Sequence, residues 1–308
     1  MTILRARRSP ANGNQPDPGP MPGTVLRALE ITVARRVDGL LAGDYRSTFL
    51  GEGTELAQVR PYAPGDDVRR IDWNVTARTG ETHVRVHLAD RVLVTWLVLD
   101  TSASMSFGTA DRRKADVAEG VAIAVGHVAT RRGNRLGIVT FGDAEPRSLP
   151  PRQGRAGLLG VLQAVGREPD AAPVGATSLG EALTRTAALA RQRALVTVVS
   201  DFRGPADWRA PLTRLAGRHD VIAVEVRDPR EEQIPDMGEL WLIDPETRRQ
   251  IRVDTRDQKL RDRFAAAAAE ERAGVADTLA SLGVRHVVLS TSGDWLRHLA
   301  TFLQRRQR

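Results

Sequence analysis

Apolar residues recur along this chain with two different periods, and the change of period divides it. From Thr24 to about Ala42, Leu26, Leu29, Val33, Val37, Leu40 and Leu41 return at helical spacing, which predicts an amphipathic helix closed near Gly43. From Thr48 to Arg91 the pattern breaks into short pieces: FLGEGTELAQVRPY, the turn APGDD, IDWNVTART, and THVRVHL, where Thr82, Val84, Val86 and Leu88 alternate with polar residues. These read as extended segments of a small β-rich module. After Asp90, strand and helix patterns alternate. VLVTWLVLD is expected as a fully buried strand, followed by a helix from about Arg112 to Arg132, the strand RLGIVTFG and an extended EPRSLP. Helices near Arg155 to Val165 and from Ser178 to Gln192 come next, then the strand ALVTVVSD, a helix near Ala206 to Ala216, and the strands DVIAVEV and VRHVVLS. Near-continuous Val/Ile/Leu runs separated by helices indicate parallel strands covered on both faces. The expected fold class is therefore α/β, with a doubly wound, mostly parallel sheet. One segment departs from this rhythm: ELWLID, PETRRQ and IRVDT at 239–255 read as a β-hairpin inserted before an alanine-rich helix that runs to about Leu282.

Three regions follow from this pattern. Residues 1–23, with Pro10, Pro16, Pro18, Pro20 and Pro22 among Asn and Gly, are expected to be a disordered tail. Residues 24–91 are expected to be a helix and β segment packed on the core, because the roughly 44 residues of the β segment hold too little apolar content for a core of their own. Residues 92–308 form the α/β domain.

Composition narrows the function. With 308 residues, 41% hydrophobic and 27% charged, the chain is long enough for a real core, and wholesale disorder or a fibrous class is excluded. The longest strongly apolar stretch, around Val92 to Leu99, is far short of a membrane span. The basic amino terminus has no apolar signal core after it and cysteine is absent, so the expected compartment is the cytoplasm. The same absence removes thiol catalysis, iron–sulfur ligation and cysteine-based zinc sites. A net charge of +7 invites a nucleic-acid reading. Yet Lys114 and Lys259 are the only lysines, and the arginines are scattered rather than clustered, with aromatics at 4%. That distribution weakens the nucleic-acid alternative. Neither lysine, in RRKAD or DQKLR, has the flanking Gly and Ser/Thr of a Walker A loop, so the chain is not itself a P-loop NTPase. GRAGLLG lacks the dinucleotide-binding spacing and reads as loop and helix packing. No HExxH or GxSxG occurs.

Chemistry concentrates at strand ends. The first buried strand ends in Asp100-Thr101-Ser102-Ala103-Ser104, Gly175-Ala176-Thr177 stands directly before a helix, and Asp201 closes ALVTVVS. In an open α/β sheet, ligands bind at the carboxyl ends of strands where strand order reverses. Carboxylate and hydroxyl oxygens without nitrogen or sulfur suit a hard cation, and short hydroxyl ligands suit Mg²⁺ or Mn²⁺ better than Ca²⁺. The expected metal ligands are Asp100, Ser102, Ser104, Thr177 and Asp201, with the two aspartates acting directly or through water. Such a site leaves an open position that an incoming Glu or Asp carboxylate could fill. The plainer alternative is that these serines and threonines cap helices while the aspartates end strands; their combined order favours the metal.

DxSxS with a distant threonine and a distant aspartate resembles the metal-ion-dependent adhesion site of von Willebrand factor type A domains. VRPYAPGDDVRRIDWNVTART upstream, and DPRE with IPDMGELWLIDPETRRQIRVDT downstream, are similar to the bacterial domain of unknown function 58 family, over roughly residues 25–305. That resemblance implies a type A-like domain with an extra amino-terminal β segment. It also implies a partnership with MoxR-type AAA+ ATPases in maturation or assembly of other proteins. Many relatives carry membrane helices, and this chain resembles the branch without them.

The remaining features are expected to serve structure. Asp66, Asp67, Arg69, Arg70 and Asp72 in PGDDVRRIDW read as an ion-paired turn that pins the β segment to the sheet domain, with partner binding as the alternative, and Trp73 reads as a core anchor. His83 and His87 share a strand face but have no further ligand placed near them, and His127, His219, His286 and His298 show no constellation. A metal-assisted hydrolase would need a base beside Ser102 or Ser104, and none is assigned. The expected function is thus a non-enzymatic, metal-dependent protein-interaction module.

Overall fold

A computed structural model describes residues 56–87, 94–130, 134–142, 147–154, 156–157, 160, 178–204, 206–243 and 250–304. The expected tail, the helix at 24–42, Thr177 and most of the expected helix at 155–165 lie outside the described residues. The chain divides into two compact units, residues 42–92 and a body that includes everything described from 94 onward.

In the smaller unit, β1 (Leu56–Pro61) pairs antiparallel with β2 (His83–His87). Between them IDWNVTART, expected to be extended, folds instead as the helix α1 (Trp73–Thr79). Its ends explain the correction. The Asp72 side chain accepts from the Asn74 and Val75 amides, and Gly80 closes the helix in the left-handed conformation at φ 76°. These capping signals outweigh the β preference of Trp, Val and Thr. The second Asp72 oxygen accepts from Arg85 at 2.8 Å, which holds its carboxyl at about 2. Asp66 takes a bidentate contact from Arg60 at 2.6 and 2.8 Å. Asp66 and Asp72 of the acidic turn are therefore ion-paired to arginines of the same unit. Trp73, expected as a core anchor, is 70% exposed: it opens α1 directly after Asp72, and it is the Asp72 carboxylate that is turned inward to Arg85.

The body is the expected doubly wound α/β domain. Its sheet comprises β3 (Val94–Asp100), β4 (Arg135–Phe141), β5 (Ser148–Gln153), β6 (Leu195–Ser200), β7 (Asp220–Arg227) and β10 (Arg285–Ser290), in the order β10-β7-β6-β3-β4-β5. All pairings are parallel except β4 with β5, an antiparallel edge. Every residue of β3 is buried, and alternation assigns its side chains to two cores. Leu97 and Leu99 face Val117 and Val121 of α2 (Lys114–Thr130) and Trp295, Leu296 and Leu299 of α6 (Trp295–Gln304). Trp96 and Val98 face Leu183 of α3 (Leu179–Leu189), Leu212 and Leu215 of α4 (Arg209–Ala216), and Leu279 of α5 (Gln258–Ser281). The expected hairpin is present as β8 (Glu239–Ile243) and β9 (Gln250–Asp254). Its Leu240 and Leu242 form a small third core with Ile234, Val253 and Phe264.

This order positions the site. The chain leaves β3 to one side for β4 and β5, then returns to the other side of β3 for β6 and β7. The reversal falls between β3 and β6, and the carboxyl ends of strands at such a reversal are where open α/β sheets bind ligands. No helix among the described residues is long and apolar enough to cross a membrane.

Candidate metal centre

Asp100 is the last residue of β3, and Asp201 follows β6 directly, so the strand order delivers both carboxylates to the point of reversal. Both are buried. Asp100 is held from two sides: the Ser102 amide donates to Oδ1 at 2.9 Å and the Ser200 hydroxyl to Oδ2 at 2.5 Å. A 3₁₀ turn over Ala103–Ser106 then folds the chain back, placing the Ser102 and Ser104 hydroxyls 3.0 Å apart. Ser104 also hydrogen-bonds the Asp201 carboxylate. Thus four of the five expected ligand residues come together in one cluster, and Thr177 lies outside the described residues.

Backbone geometry fixes the aim of Asp201. Phe202 adopts φ 54°, a left-handed conformation that is an outlier for a bulky residue. Burial holds it there, with its ring edge-on to Trp208 at 5.5 Å between centroids. The resulting turn lets the Arg203 amide donate to Asp201 Oδ1 at 3.0 Å. Gly142, just after β4, lies at φ 94°, and a Cβ there would meet the Ser102 amide nitrogen at 2.5 Å. Only glycine allows that approach of the β4 end to the serine turn.

The electrostatics are asymmetric. Burial, aided by the charge of Asp201, pushes the Asp100 carboxyl up to about 7. Burial would raise Asp201 as well, but the Lys114 ammonium outweighs it and holds that carboxyl low. Lys114 opens α2, is fully buried, and donates from Nζ to Asp201 Oδ2 and to Glu231 Oε1, each at 2.6 Å. Burial opposes its charge, yet the two carboxylates raise it above the ordinary lysine value. Formally, Asp100, Asp201 and Glu231 carry three negative charges against the Lys114 ammonium and the Arg203 guanidinium, whose Nη1 lies 3.6 Å from Glu231.

These residues fit a small hard cation. Among the described residues no group of three or more His, Cys, Asp or Glu is arranged to hold a metal, so a cation would have to draw on hydroxyls. The donor set supplies them: the 3.0 Å separation of the two serine oxygens matches the edge of an octahedron with metal–oxygen distances of about 2.0–2.1 Å, as Mg²⁺ requires.

The loop from the serine turn to α2 is tied down further along the same edge. Buried Asp228, after β7, accepts from the Thr109 amide and hydroxyl at 2.8 and 2.6 Å and from the Thr291 hydroxyl at 2.7 Å. Gly293 accepts from Arg112 and donates to Asp111. Sequence reasoning missed Lys114, Ser200, Glu231, Asp228 and Gly142. For Lys114 a signal existed: it is one of two lysines among 45 basic residues. A compact ammonium on a flexible stem suits a closed pocket where the arginine fork does not. Two histidines make contacts local to their own units. His83 Nδ1 is 2.7 Å from the Glu81 carbonyl, and His286 Nε2 is 2.9 Å from Glu225 on the neighbouring strand.

A carboxylate–hydroxyl cluster thus stands at the switch point of a doubly wound α/β domain, the place where open α/β sheets carry their ligand sites. The chain belongs to the family described as "Protein of unknown function DUF58", which matches residues 58–274. Uncharacterized proteins of Mycobacterium tuberculosis and Mycobacterium bovis are each 42% identical over 290 residues, 94% of this chain and 91% of theirs. Among solved structures, the conserved hypothetical protein BatB from Bacteroides thetaiotaomicron overlays 68% of this chain and 97% of its own at 15% identity, with a TM-score of 0.43.

Proposed function

We propose that this protein is a metal-dependent protein-interaction module. Mg²⁺ or Mn²⁺ would be held by Asp100, Ser102, Ser104, Thr177 and Asp201, and an acidic side chain of a partner would complete its coordination. The observation that carries the reading is the Ser102–Ser104–Asp100–Asp201 cluster: two buried carboxylates with two hydroxyls 3.0 Å apart, at the topological switch point. Bound there, the ion supplies a Lewis-acidic docking point. The protein's residues do the rest: Asp100 and the serines orient the oxygens, and the Phe202 turn aims Asp201. Neutral hydroxyls leave the ion under-neutralised, which favours capture of a carboxylate. The partner proposed is a MoxR-type AAA+ ATPase or its client, in maturation or assembly of other proteins.

The test is capture of the candidate ATPase from a defined mixture in Mg²⁺, in EDTA, and with Ser102→Ala/Ser104→Ala. Binding in Mg²⁺ that is lost in EDTA and in the double variant, at an unchanged melting temperature, is expected. Equal capture in all three would overturn the docking mechanism.

A further inference from the structure

We propose that Lys114 is a built-in cation that competes with the divalent ion for Asp201, and that Glu231 sets the balance by drawing on the same ammonium. The inference rests on the metal reading above and adds two residues to it.

The geometry is that of a shared charge. Nζ lies 2.6 Å from Asp201 Oδ2 and 2.6 Å from Glu231 Oε1, and all three side chains are at most 3% exposed. Asp201 is thereby committed: Oδ2 to the ammonium, Oδ1 to the Arg203 amide. A divalent ion approaching this carboxylate must share it with a positive charge that water does not screen. Glu231 works in the opposite direction. It accepts the same ammonium from the far side, held by the short turn Pro229–Glu231, where its other oxygen receives the Asp228 amide at 3.2 Å. Each carboxylate on Nζ lessens the neutralisation of the other. Removing the Glu231 charge would leave the ammonium wholly to Asp201 and weaken metal binding. Removing the Lys114 charge would release Asp201 and strengthen it. A purely structural tie between α2 and the turn after β7 predicts otherwise: loss of either member would loosen the site and weaken metal binding.

The experiment is Mn²⁺ titration of the full chain by calorimetry, for wild type, Ser102→Ala/Ser104→Ala, Glu231→Gln, Lys114→Met and Lys114→Met/Glu231→Gln. Lys114→Met alone strips the ammonium from two buried carboxylates, leaving Glu231 only Arg203 at 3.6 Å, and can fail to fold; the double variant strips it from Asp201 alone and carries the decisive comparison. Glu231→Gln is expected to bind Mn²⁺ about tenfold more weakly than wild type. Lys114→Met/Glu231→Gln is expected to bind at least about tenfold more tightly than Glu231→Gln, and to gain more in melting temperature from Mn²⁺ than Glu231→Gln does. If the double variant binds no more tightly than Glu231→Gln while the serine pair is required, the competition is wrong and the metal site stands. If wild type and Ser102→Ala/Ser104→Ala take up Mn²⁺ alike, or neither does, the metal reading falls and the inference falls with it.

Discussion

Replacing Gly142 by alanine adds one methyl group at the point where the end of β4 meets the serine turn. The added Cβ would lie 2.5–2.6 Å from the amide nitrogen, Cα and Cβ of Ser102, about 1 Å inside ordinary carbon contact. No flexible side-chain end is available to yield, so the Ser102 backbone must move. The left-handed backbone at φ 94° costs a non-glycine residue about 1–2 kcal/mol, and overpacking adds about 1–3 kcal/mol. The expected loss is therefore about 2–5 kcal/mol in denaturant unfolding. A ligand oxygen must hold its place to within about 0.5 Å, so Mn²⁺ affinity is expected to fall at least tenfold. Gly283→Ala is the control. It is also left-handed, at φ 66°, but a Cβ there meets nothing within 4 Å. It is expected to cost about 1–2 kcal/mol and to leave Mn²⁺ affinity unchanged. Equal metal affinity in wild type and Gly142→Ala would refute the claim that this close approach shapes the site.

Three further outcomes test the frame around the site. Gly120→Ala in the buried helix α2 would gain helix propensity, but its Cβ would lie 2.4 Å from the Trp295 ring. A net loss of about 1–2 kcal/mol is expected, largely relieved by Trp295→Leu in a double-mutant cycle. Burial, with the charge of Asp116, raises Glu119 to about 7, so its ionisation opposes folding. That contribution to stability is intact below about pH 4 and lost as pH rises through 7, and Glu119→Gln is expected to stabilise the protein at pH 8 but not at pH 4, read from urea midpoints. Asp72 is the opposite case. The Arg85 bond first, then the capped amides, depress it to about 2. Its contribution is present above about pH 4 and lost as pH falls through 2, so the Asn74 and Val75 amide resonances are expected to titrate with a midpoint near 2.

What could be read in advance divides along physical lines. Runs such as VTWLVLD and LVTVVS are buried on both faces, so hydrophobicity alone reports them. The strand-end aspartates and serines carry a spacing that only a turn at the sheet edge can use. α1 went unread because its Trp, Val and Thr favour strand, while the deciding signals are the end caps Asp72 and Gly80. α6 also went unread, although Trp295, Leu296, Leu299 and Ala300 repeat at helical spacing and are buried; its 10 residues are too few to stand out after the strand preceding it. The Lys114–Glu231 contact joins residues 117 apart. No local pattern reports such a pair, since the sheet order alone brings its two ends together.

The central claim is a divalent ion on the oxygens of Ser102 and Ser104, and anomalous diffraction from crystals soaked in Mn²⁺ tests it most directly. The account predicts one strong peak at the carboxyl ends of β3 and β6, within about 2.0–2.3 Å of both serine hydroxyls, that vanishes in Ser102→Ala/Ser104→Ala. No peak there, or a peak that survives the double substitution, would contradict it.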